Sequence, residues 1–298
     1  MSPAASDGDV PPRLAESAAD DPDVRQWLTL LPAARAEAVA RWDLRLSAPF
    51  VPGGSTAWVA PARTRDGVPV VLKVGMRHPE AEHEAAGLRV WDGHGAVRLL
   101  HDHVDQASTC LLLERCTPGT TLADRPEPVQ DEVITALLCR AWQAPVPYGV
   151  FRPLADLNRQ IADEAEYALG SEAGAAIEPS DASITRTAIA MLRETPGPRP
   201  EDVLLCTDLH HENVLAAERE PWLFIDPKPY LGDRAYDLTQ HLLNCEQRLG
   251  ADPHRLIGRI SRLADVDASA VARWLFLRLA TEQVAGGRLR GLARVLAP

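Results

Sequence analysis

The chain has 298 residues, 46% of them hydrophobic, with 31 Lys and Arg against 42 Asp and Glu, a formal net charge of −11. That length can bury a large core and suits two domains or one large two-lobed one. No run approaches the ~18 apolar residues that span a bilayer, and the acidic balance opposes a nucleic-acid binder, whose usual footprint is basic.

Residues 1–23 are rich in Asp, Pro, Ala and Ser and read as a flexible acidic lead-in. They hold neither the basic region nor the apolar core of a secretory signal. Trp27, Leu28, Leu31, Val39, Trp42 and Leu46 then recur at helical spacing, and Pro32 divides them into two short helices. From Phe50 the pattern turns to strands. Pro52-Gly53-Gly54-Ser55-Thr56 is a turn, Ala57–Ala60 is extended, and Arg65-Asp66-Gly67 is a hairpin signal before Val68–Val74. Glu80–Trp91 reads as a helix with Ala85, Leu88 and Trp91 on one face. Val97–Leu100 and Thr109–Leu113 are two more β-like runs, and Glu114–Gly119 breaks the pattern.

Beyond Gly119 periodicity predicts helices over 129–143, 154–169, 181–194, 236–249 and 269–282. Two short apolar runs, Val203–Cys206 and Trp222–Ile225, flank a polar loop. The expected fold class is α+β, a small β-rich N-terminal lobe over 24–115 followed by a larger helical lobe over 116–298. Cys110, Cys116, Cys139, Cys206 and Cys245 form no C-x-x-C pair and are odd in number, which opposes a disulfide framework or a zinc site. A reduced, cytoplasmic protein is expected, monomeric or weakly dimeric.

Two features carry chemistry. Only Lys73 and Lys228 are lysine; the other 29 basic residues are arginine. Where arginine serves, this chain uses it, so each lysine marks a place to ask whether a compact point charge is needed. The second feature is Cys206-Thr207-Asp208-Leu209-His210-His211-Glu212-Asn213-Val214-Leu215, followed by Leu223-Phe224-Ile225-Asp226. Asp208 can accept a proton from a hydroxyl. Asn213 and Asp226 offer the hard oxygen ligands that Mg²⁺ prefers. His210 and His211 invite a zinc reading, but adjacent histidines point apart and no H-x-x-x-H accompanies them. Cys206 ends an apolar run without a positioned base and reads as a structural thiol. Asp237 and Asp233 read as acids that brace the loop.

The D-x-x-x-x-N spacing followed by Asp resembles the catalytic loop of protein-kinase-like phosphotransferases. The strings Asp208-Leu-His-His-Glu-Asn-Val-Leu and Ile225-Asp226-Pro227-Lys228 resemble, more specifically, the aminoglycoside/hydroxyurea antibiotic resistance kinases. That resemblance runs from about residue 45 to 285 and is weakest between 120 and 200. It implies a protein-kinase-like fold, ATP and Mg²⁺ as cofactors, and transfer of the γ-phosphate to an alcohol of a small molecule. By the same resemblance Lys73 contacts nucleotide phosphates, Glu84 pairs with it (Glu80 and Glu82 being rivals), and Ser55 and Thr56 lie in the phosphate-facing loop. Leu111–Cys116 matches an interlobe hinge where the backbone at Glu114 and Cys116 meets adenine. Asp208 is the implied base, and Asn213 with Asp226 the metal ligands. Many relatives carry His-Gly-Asp where this chain has Cys206-Thr207-Asp208, and activity is expected to survive the change.

Ten acids stand against Arg219, Lys228 and Arg234 between residues 201 and 246. Such a field attracts a polycationic acceptor such as an aminoglycoside, streptomycin among them, though charge that only keeps a surface solvated gives the same count. A hydroxyurea-like, sugar or choline-like acceptor, or a catalytically silent nucleotide-binding scaffold, are the alternatives. The missing Asp-Phe-Gly and Ala-Pro-Glu signatures oppose a protein kinase.

Overall fold

The computed structural model describes residues 10–171, 174, 177–282 and 291–297. Two compact units divide the chain: Met1–Gly119 with Ala217–Arg219, and Thr120–Ala216 with Glu220–Pro298. Among the described residues no helix is long and apolar enough to cross a membrane.

The first unit is built on an antiparallel sheet of β1 (Arg45–Leu46), β2 (Ala57–Arg63), β3 (Pro69–Met76), β4 (Leu99–Val104) and β5 (Ser108–Glu114), in the order β1-β2-β3-β5-β4. The two-residue period of a strand sorts β3: Val70, Leu72 and Val74 are buried on one face, and Lys73 falls on the other. The buried face packs with Trp58, Ala60 and Ala62 of β2 and Cys110 and Leu112 of β5 into one core. Lys73 stands opposite Val59 and Leu111 in the two ladders.

The lead-in differs from its sequence reading. Residues 1–9 lie outside the described residues, but Pro12–Asp20 and Pro22–Leu28 are helices, and Leu14 is fully buried in the core of the sheet. Prolines fit the first helical turn, and the Asp21 side chain accepts from the Asp23 and Val24 N–H groups as a cap. Leu14 and Ala18, four apart, make a stripe too narrow to register in an acidic composition. The helix expected over 80–91 also begins later, at Glu84, after a 3-10 turn at Pro79–Ala81.

β6 (Pro118–Thr121) lies where the first unit ends. The second unit is mostly helical: Glu127–Ala141, Leu154–Leu169, Pro179–Arg193, Arg234–Leu243, Glu246–Ala251, Pro253–Ala264, Ala268–Glu282 and Leu292–Leu296. The stretch expected as one helix over 236–249 breaks at Asn244–Cys245. Pro253–Ala264 was not anticipated; Asp252 caps it, and Leu256, Ile257, Ile260 and Ala264 form its buried stripe. Two strand pairs interrupt the helices: β7 (Val203–Leu205) with β10 (Tyr230–Gly232), and β8 (Val214–Ala217) with β9 (Trp222–Phe224). An N-terminal antiparallel sheet followed by a mostly helical part is the α+β, protein-kinase-like architecture that the motifs implied.

Candidate active site

In the first unit the Lys73 ammonium lies 2.7 Å from both oxygens of Glu84. Their side chains are 12% and 4% exposed, so neither charge is left to solvent. β3 turns Lys73 off the core face, and Glu84 opens its helix, where the N-terminal dipole favours a carboxylate. Glu84 is thus an acid that reaches Lys73; the Glu80 side chain lies outside the described residues. Ser55 and Thr56 end the glycine turn before β2. Thr56 O accepts from Met76 N–H at 2.9 Å, tying the turn to the end of β3. Gly53 has φ +85°, and a Cβ there would meet Pro11 Cβ at 2.4 Å, so only glycine fits.

Glu114 ends β5 with its side chain fully engaged. Arg219 donates to both of its oxygens at 2.9 Å, and Arg98 N–H donates to one at 3.0 Å. Burial works to raise this carboxyl, but those hydrogen bonds and charges together hold it below its ordinary value. The Glu114 N–H is likewise given to Arg98 O at 2.9 Å. Burial and Glu114 push the Cys116 thiol up to about 11, so it is neutral.

In the second unit Asp208, Asn213, Asp226 and Lys228 are held together by short-range ties. The Asn213 side-chain NH₂ donates to Asp208 O at 2.9 Å, and Ile225 N–H donates to Asn213 O at 2.9 Å. With Val214 opposite Phe224, Asn213 and Asp226 step off the same end of the β8–β9 hairpin. The amide nitrogen being committed to Asp208 O, the Asn213 oxygen is the end of that side chain left to act as a ligand, on the same hairpin end as Asp226.

Thr207 stands at φ +50° where glycine would be unstrained. The hydroxyl that glycine lacks donates to Lys228 O at 2.6 Å, and Lys228 N–H donates to Cys206 O at 2.9 Å. The Lys228 ammonium lies 3.2 Å from Asp208 Oδ2. Asp237 braces the same loop from the helix Arg234–Leu243. It is fully buried and accepts from Cys206 N–H at 3.0 Å, Thr207 N–H at 2.6 Å and the Trp142 indole at 2.8 Å. Burial, opposed by those three donors, pushes its carboxyl up to about 6. Asp233, the other acid read as a brace, instead caps its helix through Ala235 N–H and accepts from Trp274.

Cys206 is buried and its thiol is pushed well above the ordinary value by burial, so it is inert. The His210 and His211 rings are nearly perpendicular with centroids 5.8 Å apart, and burial lowers both pKa values. Among the described residues the one trio of His, Cys, Asp or Glu side chains close enough together to share a metal is Asp131, His241 and Cys245. There Arg248 bonds both Asp131 oxygens and Arg259 bonds one, all at 2.8 Å, so cations already fill the site. Sequence reasoning missed this network, the Trp142 donor and the Lys228–Asp208 pair. The scarcity of lysine was the one signal that pointed at the last.

The family model described as aminoglycoside/hydroxyurea antibiotic resistance kinase matches residues 41–285. A streptomycin 6-kinase of Streptomyces griseus is 37% identical over 283 residues, covering 91% of this chain and 88% of that protein. A hydroxyurea phosphotransferase of Kitasatospora aureofaciens is 37% identical over 223 residues, covering 74% and 63%. Among solved structures, the choline kinase LicA from Streptococcus pneumoniae is 13% identical at TM-score 0.54, covering 89% of this chain and 95% of its own. An amicoumacin kinase in complex with AMP-PNP, Ca²⁺ and Ami is 14% identical at TM-score 0.54, covering 84% of this chain and 85% of its own. These last two establish the fold alone.

Proposed function

The chain belongs to the aminoglycoside/hydroxyurea antibiotic resistance kinases and is a phosphotransferase acting on a small-molecule hydroxyl; on that premise we propose that it transfers the γ-phosphoryl of ATP·Mg²⁺ to a hydroxyl of streptomycin or a similar cationic aminoglycoside. The observation that carries the chemistry is the clustering of Asp208, Asn213 and Asp226 on one loop and one hairpin end, with both lysines of the chain paired to acids of the implied machinery. Streptomycin is favoured by two streptomycin 6-kinases, 37% and 35% identical over 91% and 85% of this chain. The ten acids between 201 and 246 suit a polycation.

In this reading Lys73, held by Glu84, binds nucleotide phosphates, with Ser55 and Thr56 on the same phosphate-facing turn and the backbone at Glu114 and Cys116 meeting adenine. Asn213 and Asp226 hold Mg²⁺, which when bound neutralises charge on the phosphate oxygens. Asp208 orients the acceptor hydroxyl and takes its proton as the new O–P bond forms and the bond to ADP breaks. Such transition states are largely dissociative, so positioning and neutralisation carry most of the rate.

The test is a screen of the purified protein with ATP, Mg²⁺ and streptomycin, other aminoglycosides and hydroxyurea, reading phosphorylated product by mass spectrometry. Asp208→Ala should lower kcat on the order of 10²–10⁴-fold with nucleotide affinity nearly intact. Full turnover in that variant refutes the role of Asp208, and a clear preference for hydroxyurea refutes the acceptor.

A further inference from the structure

We propose that Lys228 is a positioning residue for phosphoryl transfer: its ammonium fixes one oxygen of Asp208 so that the other faces the acceptor hydroxyl. This rests on the reading of Asp208 as the group that takes the hydroxyl proton.

Lys228 is not an ion-pair partner on a loose surface loop. Its N–H donates to Cys206 O and its C=O accepts from the Thr207 hydroxyl, so its backbone is anchored on both sides to the two residues before Asp208. Pro227 and Pro229 flank it, each with a fixed φ and no N–H, which stiffens the segment further. From that mount the ammonium reaches Asp208 Oδ2 at 3.2 Å. Among the described residues no side-chain hydrogen bond reaches the Asp208 carboxylate, so the Lys228 ammonium near Oδ2 is the charge that orients it, and Oδ1 is the oxygen assigned to the acceptor. The Asp208 N–H donates to Cys206 O at 2.7 Å and its C=O accepts from Asn213. With the backbone fixed by these bonds, the side-chain torsion is what Lys228 decides.

The choice of lysine has a physical reason. In a chain with 29 arginines, lysine survives at two positions, and both meet an acid of the implied machinery. A guanidinium presents a planar fork that takes both oxygens of a carboxylate. Such a fork at position 228 would cover the oxygen the acceptor needs. An ammonium has no such fixed fork: Lys73 sits over both Glu84 oxygens at 2.7 Å, whereas Lys228 approaches Asp208 at Oδ2.

The pair is 33% and 21% exposed, and ion pairs of that kind add little to stability. Its loss should therefore appear in kcat and not in folding. The experiment measures Lys228→Met and Lys228→Arg with whichever acceptor the wild type consumes, so a failed streptomycin assignment shows in the wild type and a failed Lys228 assignment in the variants. Calorimetry supplies nucleotide and acceptor dissociation constants, and thermal unfolding reports the fold. We expect kcat to fall about 100-fold in Lys228→Met, the size of a misplacement near 1 Å. Lys228→Arg should not recover it. Both dissociation constants should stay within threefold and the melting temperature nearly unchanged. Lys228→Cys alkylated with 2-bromoethylamine, which restores an ammonium on a similar stem, should regain much of the rate. The proposal is overturned if Lys228→Met keeps its turnover, if Lys228→Arg matches the wild type, or if nucleotide affinity falls in step with kcat. Unfolding of Lys228→Met would overturn it equally, by making the residue structural.

Discussion

Asp237→Ala removes a buried carboxylate on which three donors converge: Cys206 N–H, Thr207 N–H and the Trp142 indole. Each donor left buried and unpaired costs about 1–3 kcal/mol. Against that, the mutation relieves the penalty of an ionised buried acid. Its rise from 3.8 to about 6 corresponds to roughly 3 kcal/mol at neutral pH. The balance centres near 3 kcal/mol destabilising, on the order of 10 °C in melting temperature. Turnover should fall further than stability. Thr207, at φ +50°, is held there by its bonds to Asp237 and Lys228 O, and releasing one lets the residue before Asp208 relax. Asp237→Asn keeps one acceptor oxygen and should lose less stability but a similar share of kcat, because its NH₂ must face a donor. Acid separates the two effects. The folded-state carboxyl sits above its ordinary value, so between about 6 and 3.8 the folded state binds the extra proton. This group's contribution to stability therefore grows as pH falls through that window. The protonated carboxyl nevertheless presents an O–H to one of three donors, so turnover should drop below about pH 6 without a matching loss of melting temperature. Unchanged kcat and melting temperature in Asp237→Ala would refute the bracing role.

Three further outcomes follow from buried charge. Glu84→Gln leaves Lys73 without the acid that takes its ammonium at 2.7 Å; nucleotide titration should show affinity weakened roughly tenfold, about 1.4 kcal/mol, and unchanged affinity would remove Lys73 and Glu84 from phosphate binding. Burial lowers His241 but Asp131 and Cys245 raise it more, to about 9. Since the folded value exceeds the ordinary 6.5, the stability this pair contributes is complete below about 6.5 and lost as pH rises through about 9. Thermal unfolding should follow that slope in the wild type. Asp131→Ala, which leaves His241, Arg248 and Arg259 unopposed, should cost about 3–5 kcal/mol, and a variant with wild-type stability would show the network to be dispensable.

Local chemistry was legible wherever one residue type had one purpose. A lysine inside the apolar alternation of β3 had to leave the core face, and it does. The five-residue separation of Asp208 and Asn213 reads as a loop because apolar runs bound it, and the Asn213 amide indeed folds back on Asp208 O. Pro32, read as dividing two helices, sits in the first turn of the second, and Gly67 marks a hairpin turn at φ +82°. Two helices escaped for related reasons. Pro12–Asp20 buries only Leu14 and Ala18, so its acidic composition hides it. Pro253–Ala264 carried a legible Asp-Pro start and an apolar stripe, and its charged face masked them.

What the sequence by itself determined is the kind of protein and the chemical types at its site, because strand and helix periods and a motif of fixed spacing are local properties. Which charges meet was decided by the tertiary structure. Asp237 reaches the loop from 30 residues downstream, Asp131 gathers His241, Arg248 and Arg259 from more than 100 residues away, and Arg219 is taken by Glu114. An ion pair at such separation has no period to betray it, and it forms only where packing has already fixed both stems. The two lysines stand between these cases: their rarity is written in the chain and Glu84 was already named for Lys73 against Glu80 and Glu82, but the acid that Lys228 meets is written only in the fold.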